Sequence, residues 1–233
     1  MLRLSVIIPV YNEEKSLASL LEAVHASPAE KEIIVVNDGS TDQTKQILER
    51  FRDRFSLHII HKDRNCGKGA AIRSAIPHIR GDVAIIQDAD LELDPQEYGK
   101  LLEPFNPPPG GIGADVVFGS RFQMAGTRRV FPTGRYLANR FLTLFSNLAS
   151  GLYLTDMETC YKLFRREVLQ SFHLKANRFD IEPELVARTA QGGYRIWEVP
   201  IRYNPRSRSQ GKKIGLKDGI AAIWAIIRFN WLN

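Results

Sequence analysis

The chain of 233 residues has only two cysteines, Cys66 and Cys160, and they are far apart. A disulfide framework and a structural zinc cluster are excluded, and a reducing cytoplasm is the expected setting. No apolar stretch approaches the roughly 20 residues that span a bilayer. The longest, Ile220 to Ile227, is too short. The start, MLRLSVIIPVYNEE, turns polar at once and has no small-residue cleavage site, so no secretory signal is expected. The loop after the first apolar run, Pro-Val-Tyr-Asn-Glu, has no glycine. Without G-x-G-x-x-G there, a dinucleotide-dependent dehydrogenase is disfavoured, and so is a sugar-phosphate nucleotidyltransferase, which would want a glycine-rich signature at that place. CGKG (66–69) is not a Walker A loop, because the preceding glycine and a Ser/Thr after Lys68 are missing. Internal repeats and low-complexity tracts are also missing.

What is present is an ordinary globular balance, 44% hydrophobic and 25% charged, with a net charge of +6. The excess of positive charge points to an anionic partner such as nucleotide phosphates, an acidic membrane surface or nucleic acid. Apolar, β-branched runs alternate with helical patterns. Strands are expected over Leu4–Val10, 32–37, 57–62, 82–87 and 114–121, and helices over Glu13–Ala26, Asp42–Arg54 and Gly69–Ile79. Near-continuous apolar strands alternating with helices imply an α/β fold with a mostly parallel sheet covered on both faces. Beyond NPPPGG (106–111) the spacing predicts helices over Arg135–Ser150 and 179–193, a short strand within 155–169, an edge or bulged strand over 194–205 containing Pro200, and a C-terminal helix.

In such sheets ligands bind beyond the carboxyl ends of the strands. Four consecutive strands here end in polar or glycine-rich loops: Pro9, Tyr11, Asn12 and Glu13; NDGSTD (37–42); NCGKG (65–69); and DADLELD (88–94). In an extended segment Asp88, Asp90 and Glu92 would share one face. Three carboxylates so placed suit Mg²⁺ or Mn²⁺, which take oxygen ligands and substrate phosphates. Asp94 with Pro95 is expected to start the next helix. Ser40 or Thr41 would cap the second helix, while Asp38 could hydrogen-bond a ribose or a base edge. Lys68 and the amides at a helix start would suit a phosphate or a base carbonyl.

These stretches resemble a known family. SVIIPVYNEE, VVNDGSTD, GKGAAIRSA, DADLELDP and GSRF are similar to the family 2 inverting glycosyltransferases with the GT-A fold, a Rossmann-like sheet flanked by helices. DMETCYKLFRREVL, FDIEPELVARTAQGGYRIWEVPIRYNPRS and GKKIGLKDGIAAI resemble the subgroup that makes polyprenyl-phosphate sugars, the dolichol-phosphate mannose and glucose synthases and their bacterial relatives. The resemblance implies a single domain over 1–233, with a nucleotide-sugar half (1–121) and an acceptor half (122–233). It implies that Pro9, Tyr11, Glu13 and Asp38 hold the base and ribose, with Lys68 near the base or phosphates. Asp88 and Asp90 would bind the divalent metal that bridges the diphosphate, Asp90 being a catalytic residue in that sense. Glu92 stands where dolichol-phosphate mannose synthases usually have Gln, and Asn37 where an Asp is more usual. Arg121 and Arg135 match positions near the acceptor phosphate, and Asp156 lies in the loop of the catalytic carboxylate.

The chemistry is consistent with that assignment. A sugar nucleotide leaves as a diphosphate, whose charge a metal and Arg/Lys groups neutralise. Residues 195–217 carry seven Lys/Arg against one Glu, and RSRSQGKK, with Arg206, Lys212 and Lys213, resembles a lid over phosphates. A non-catalytic nucleotide- or RNA-binding protein using this basic face is the distant alternative; only Trp197 and Tyr203 interleave the run, which disfavours RNA, so no nucleic-acid partner is expected. A phosphate acceptor needs no general base, whereas a hydroxyl acceptor does. Asp156 would then orient substrate more than remove a proton. Glu182 and Glu184 would line the acceptor site or serve the structure. Leu216, Ile220, Ile223, Trp224, Ile227 and Trp231 form one stripe on the last helix, for the core or for a membrane interface, and 140–154 could line a lipid groove. The expectation is a metal-dependent hexosyltransferase using a nucleotide sugar and a polyprenyl phosphate, or else a glycan or glycolipid hydroxyl, peripheral at the inner membrane face. Base, sugar, Mg²⁺ against Mn²⁺ and oligomeric state stay open at this level.

Overall fold

The computed structural model describes residues 2–123, 133–205 and 216–232, without the side chains of residue 135 and residues 216–218. Among these a seven-stranded sheet forms the middle layer. Its strands are β1 (Leu4–Val10), β2 (Lys31–Asn37), β3 (His58–His61), β4 (Val83–Ile86), β5 (Val116–Ser120), β6 (Lys162–Arg165) and β7 (Ile196–Pro200), in the order β3-β2-β1-β4-β6-β5-β7. The helices are α1 (Leu17–Ala26), α2 (Thr44–Phe51), α3 (Lys68–Ala75), α4 (Tyr98–Leu102), α5 (Thr133–Ser150), α6 (Arg166–Ser171), α7 (Ile181–Gln191) and α8 (Leu216–Trp231).

β1 pairs in parallel with β2 and β4, and is buried along nearly its whole length. That double burial is why LSVIIPV reads as a continuous apolar run instead of an alternating one. β2 extends the parallel set to β3, and β5 pairs in parallel with the edge strand β7. The exception is β6, which is antiparallel to both β4 and β5. Its amino end therefore lies at the carboxyl edge of its neighbours. The loop before β6 is delivered to the same edge as the loops after β1, β2, β4 and β5.

Local chemistry explains the boundaries. α1 starts at Leu17 instead of Glu13, because Asn12 at φ 55° turns the chain and the Glu13 amide is taken by Thr44 Oγ1. At the start of α2 the Thr44 amide goes to Asp42 Oδ1, which corrects the expectation of a Ser40 or Thr41 cap. Ser40 Oγ instead accepts from the Asn12 amide. Asp94 behaves as expected: it accepts from the Gln96 amide and starts a 3₁₀ turn at Pro95–Glu97 that leads into α4.

α8 packs on α5 and α7 through Ala222, Ala225, Ile226 and Phe229. Of the stripe read for the core or for a membrane interface, Ile223 and Ile227 are half-buried and three members are largely exposed. Ile220, Trp224 and Trp231 are 61%, 57% and 59% exposed. α5 leaves Leu137, Phe141, Leu144 and Leu148 exposed as well. Among the described residues no helix is long and apolar enough to cross a membrane.

Candidate active site

At the carboxyl edge of the parallel strands the loops after β1 and β2 are tied together. Asn12 Oδ1 accepts from the Thr41 amide, and Glu14 exchanges contacts with Asp42 and Gln43. Asn37, at the end of β2, holds the Ser40 amide and meets His61 Nδ1 across the sheet. Tyr11 is left 41% exposed over this surface, with Pro9 and Glu13 part-buried beside it.

Asp38 is turned away from solvent. Its carboxylate accepts from the Cys66 and Gly67 amides and pairs with Lys62 Nζ at 3.0 Å. Asp38, which the sequence offers to a ribose or a base edge, in this geometry fixes the β3–α3 loop. The same loop explains GKG. Gly67 has φ +95°, and a Cβ there would stand 2.3 Å from Asn177 O; at Gly69 it would stand 2.5 Å from Ala176 O. The Ala70 amide is spent on Asn177 O. With the Cys66, Gly67 and Ala70 amides engaged, the start of α3 is a packing joint as well as a helix N-terminus.

The acidic stretch after β4 does not stay extended. The chain turns after Asp88, and Leu91 takes φ 60°. Asp90 Oδ1 accepts from the Glu92 amide. The alternation that would align Asp88, Asp90 and Glu92 is therefore broken. Glu92 Oε2 accepts from the Tyr203 hydroxyl at 2.7 Å, and the Glu92 carbonyl accepts from the Asn204 amide. Asp88 and Asp90 stand at the strand tip, and Glu92 is engaged by the segment after β7. Two carboxylates at a strand tip still fit Mg²⁺ or Mn²⁺, which fill their shells with phosphate and water oxygens. Among the described residues no three His, Cys, Asp or Glu side chains gather as a self-sufficient metal site.

Beneath Asp88 lies a clamp with no sequence signal. Buried Gln87 donates to the Asp88 carbonyl and accepts from both Tyr98 Oη and Tyr161 Oη at 2.7 Å. Asp88 Oδ1 sits 2.7 Å from Lys68 Nζ, which also reaches Glu182 Oε1 at 2.9 Å. Glu182 Oε2 pairs in turn with Lys162, a fully buried lysine whose Nζ donates to the Met157 and Thr159 carbonyls. Burial alone would lower the Lys68 pKa, but Asp88 and Glu182 outweigh it and hold the ammonium protonated. Burial likewise opposes charge on Glu182, and Lys162 and Lys68 pull it below the ordinary carboxylate value. Lys68 is thus shared between Asp88 and Glu182. Glu184 is structural: it accepts from the Lys175 and Ala176 amides.

On the other side, Arg121 and Asp156 form a two-pronged pair. Arg121 Nε and Nη2 stand 2.6 and 2.7 Å from the Asp156 carboxylate, which also accepts the Arg121 amide. Asp156 is fully buried, and Arg121 lies over the Tyr203 ring. Despite its burial, the Asp156 charge holds Arg121 protonated. Glu198 accepts from the Thr155 amide and hydroxyl and buttresses this loop. Asp156 in this geometry orients Arg121. The side chain of Arg135, and Arg206, Lys212 and Lys213 with the expected lid, lie outside the described residues.

A match to the family model described as "Glycosyl transferase family 2" spans residues 5–172. The chain belongs to glycosyl transferase family 2. This family 2 glycosyltransferase is 31% identical over 221 residues to a polyprenol monophosphomannose synthase from Mycolicibacterium smegmatis, covering 91% of the chain and 82% of that relative. It is 30% identical over 244 residues to an undecaprenyl-phosphate mannosyltransferase from Micrococcus luteus, covering 97% and 98%. Its fold matches that of glucosyl-3-phosphoglycerate synthase from Mycobacterium tuberculosis, crystallised with Mn²⁺, UDP and product. That match has a TM-score of 0.74 at 19% identity and covers 100% of this chain and 81% of the other. The enzyme therefore has the GT-A fold, as the sequence motifs imply.

Proposed function

We propose that this glycosyltransferase moves a hexose from a nucleotide sugar of the UDP-glucose or GDP-mannose type to a polyprenyl phosphate, with Mg²⁺ or Mn²⁺ bound at Asp88 and Asp90. The observation that carries this reading is the placement of Asp88 and Asp90 between two regions: the polar loops after β1 and β2, and the protonated Arg121 after β5. The names of the two relatives support the lipid-phosphate acceptor. A metal bound there would supply positive charge to the departing diphosphate.

The chain's own residues provide the rest. Tyr11, Pro9 and Glu13 offer a surface for base and ribose. Lys68 keeps Asp88 in place. Arg121, held by Asp156, offers a fixed cation to the acceptor phosphate. An oxygen of that phosphate attacks the anomeric carbon as the carbon–oxygen bond to the diphosphate breaks, inverting the centre. The acceptor is already anionic, so no group must take a proton.

The exposed apolar side chains of α5 and α8 support a peripheral seat on the inner face of the membrane, where such a lipid resides. One assay tests the function: protein, Mn²⁺ or Mg²⁺, labelled UDP-glucose or GDP-mannose, and undecaprenyl phosphate. Lipid-soluble label lost in Asp90→Ala is the expected result. Label appearing only with hydroxyl acceptors would replace the acceptor assignment. Co-sedimentation with anionic liposomes tests the membrane seat, and no binding at low or high salt would remove it.

A further inference from the structure

The strand order gives the donor a direction. Loops that would hold base and ribose end β1 and β2; the carboxylates for the diphosphate end β4; Arg121, for the acceptor, ends β5. Between β4 and β5 lies β6, whose antiparallel course brings residues 156–161 to the same edge. A sugar between diphosphate and acceptor would therefore lie over the loop before β6.

That loop holds two polar atoms with nothing to bond. Glu158 Oε1 and Thr159 Oγ1 are enclosed, and neither has a hydrogen-bond partner among the described residues. Adjacent buried polar atoms without partners call for water, an ion or a ligand. The charges around Glu158 are already matched. It faces Lys162 from β6 and Arg121 from the end of β5, but these pair with Glu182 from α7 and with Asp156. Among the described residues Glu158 has no cation of its own, and burial pushes its pKa up to about 7. A carboxyl near neutrality offers both an acceptor and a donor, which is the chemistry that recognises a hydroxyl.

Resting on the glycosyltransferase reading above, we propose that Glu158 is a specificity-determining residue that hydrogen-bonds a hydroxyl of the transferred hexose, with Thr159 beside it. The loop thus does two jobs: Asp156 orients the cation for the acceptor, and Glu158 reads the sugar.

Binding separates this role from its rivals. Affinities for UDP, UDP-glucose, GDP and GDP-mannose are measured by calorimetry with Mn²⁺ for the wild type, Glu158→Gln and Glu158→Ala. For the base that binds, Glu158→Ala should weaken the sugar nucleotide about tenfold and leave the free diphosphate unchanged, while Glu158→Gln keeps most of the affinity. If Glu158→Ala does not fold, Glu158→Met, which fills the space without hydrogen-bonding, gives the same contrast. Equal weakening of diphosphate and sugar nucleotide, or no weakening of either, would overturn the proposal, as would a wild type that binds none of the four. A wild type that shows the contrast but transfers nothing to undecaprenyl phosphate would leave Glu158 its role and refute the acceptor assignment instead.

Discussion

Lys68 at the start of α3 and Glu182 in the first turn of α7 meet at 2.9 Å, though 114 positions separate them in the chain. Through this contact a carboxylate at the tip of β4 is wired to a fully buried lysine in β6. The chain of charges runs Asp88, Lys68, Glu182, Lys162, alternating in sign. Removing Glu182 leaves Lys162 as an enclosed cation without its counter-ion. Glu182→Gln should lower the free energy of unfolding by about 3 kcal/mol, measured by urea titration. The double variant Glu182→Gln/Lys162→Met should lose less than the sum of the two singles.

Asp90 and Glu92 are close in sequence but make different contacts. Asp90→Ala should cut turnover by about a hundredfold or more while the thermal midpoint stays near that of the wild type. Glu92→Gln keeps an acceptor for the Tyr203 hydroxyl and should retain most activity. Steady-state kinetics at saturating Mn²⁺ checks both. An equal loss in the two variants would restore Glu92 to the ligand set.

Glu158 ties stability to pH. Its pKa rises from 4.5 in the unfolded chain to about 7 in the folded one. Between those values the folded protein holds a proton that the unfolded chain has released, so this residue makes folding less favourable as pH rises. The effect is complete above about pH 7. Glu158→Gln should gain in melting temperature relative to the wild type from pH 4.5 to 7 and hold that gain above. A constant difference across the range would show that Glu158 keeps its ordinary pKa.

Two glycines with positive φ should respond differently to alanine. Gly67→Ala places a Cβ 2.3 Å from Asn177 O and should cost about 3 kcal/mol or more, since the neighbour is backbone. Gly110→Ala, at φ +82° with nothing within 4 Å, should cost about 1 kcal/mol, from backbone strain alone. Chemical denaturation of both reads the difference.

The apolar runs that became β1, β2, β4 and β5 were legible because each is buried on both faces and needs no alternation. The polar loops at their carboxyl ends were legible for the same reason, since punctuation stands out against such runs. Asp94 with Pro95 declared its turn locally. β6 was different. KLFR is four residues long, and nothing in it announces that it enters between β4 and β5 in the opposite sense. Lys162 carries a charge that marks a surface residue on any local rule, and its burial is made tolerable by Glu182 from α7 and the Met157 and Thr159 carbonyls. Leu91 defeated the expected alignment of carboxylates, because a positive φ at leucine has no sequence signature. On α8 the stripe was real but its direction was not determined, since an opposite row of Ala222, Ala225, Ile226 and Phe229 could also face the core, and does.

Because β5 and β6 are antiparallel neighbours, the chain leaves the sheet at Ser120 and returns at Lys162 almost where it left. Residues 121–161 are thus the loop of one enlarged hairpin, with α5 inside it. The two strands thus form a single doorway that fixes both ends of the segment carrying α5 and the Asp156 loop, while Tyr161 and Asp156 bolt its returning end to Gln87 and Arg121.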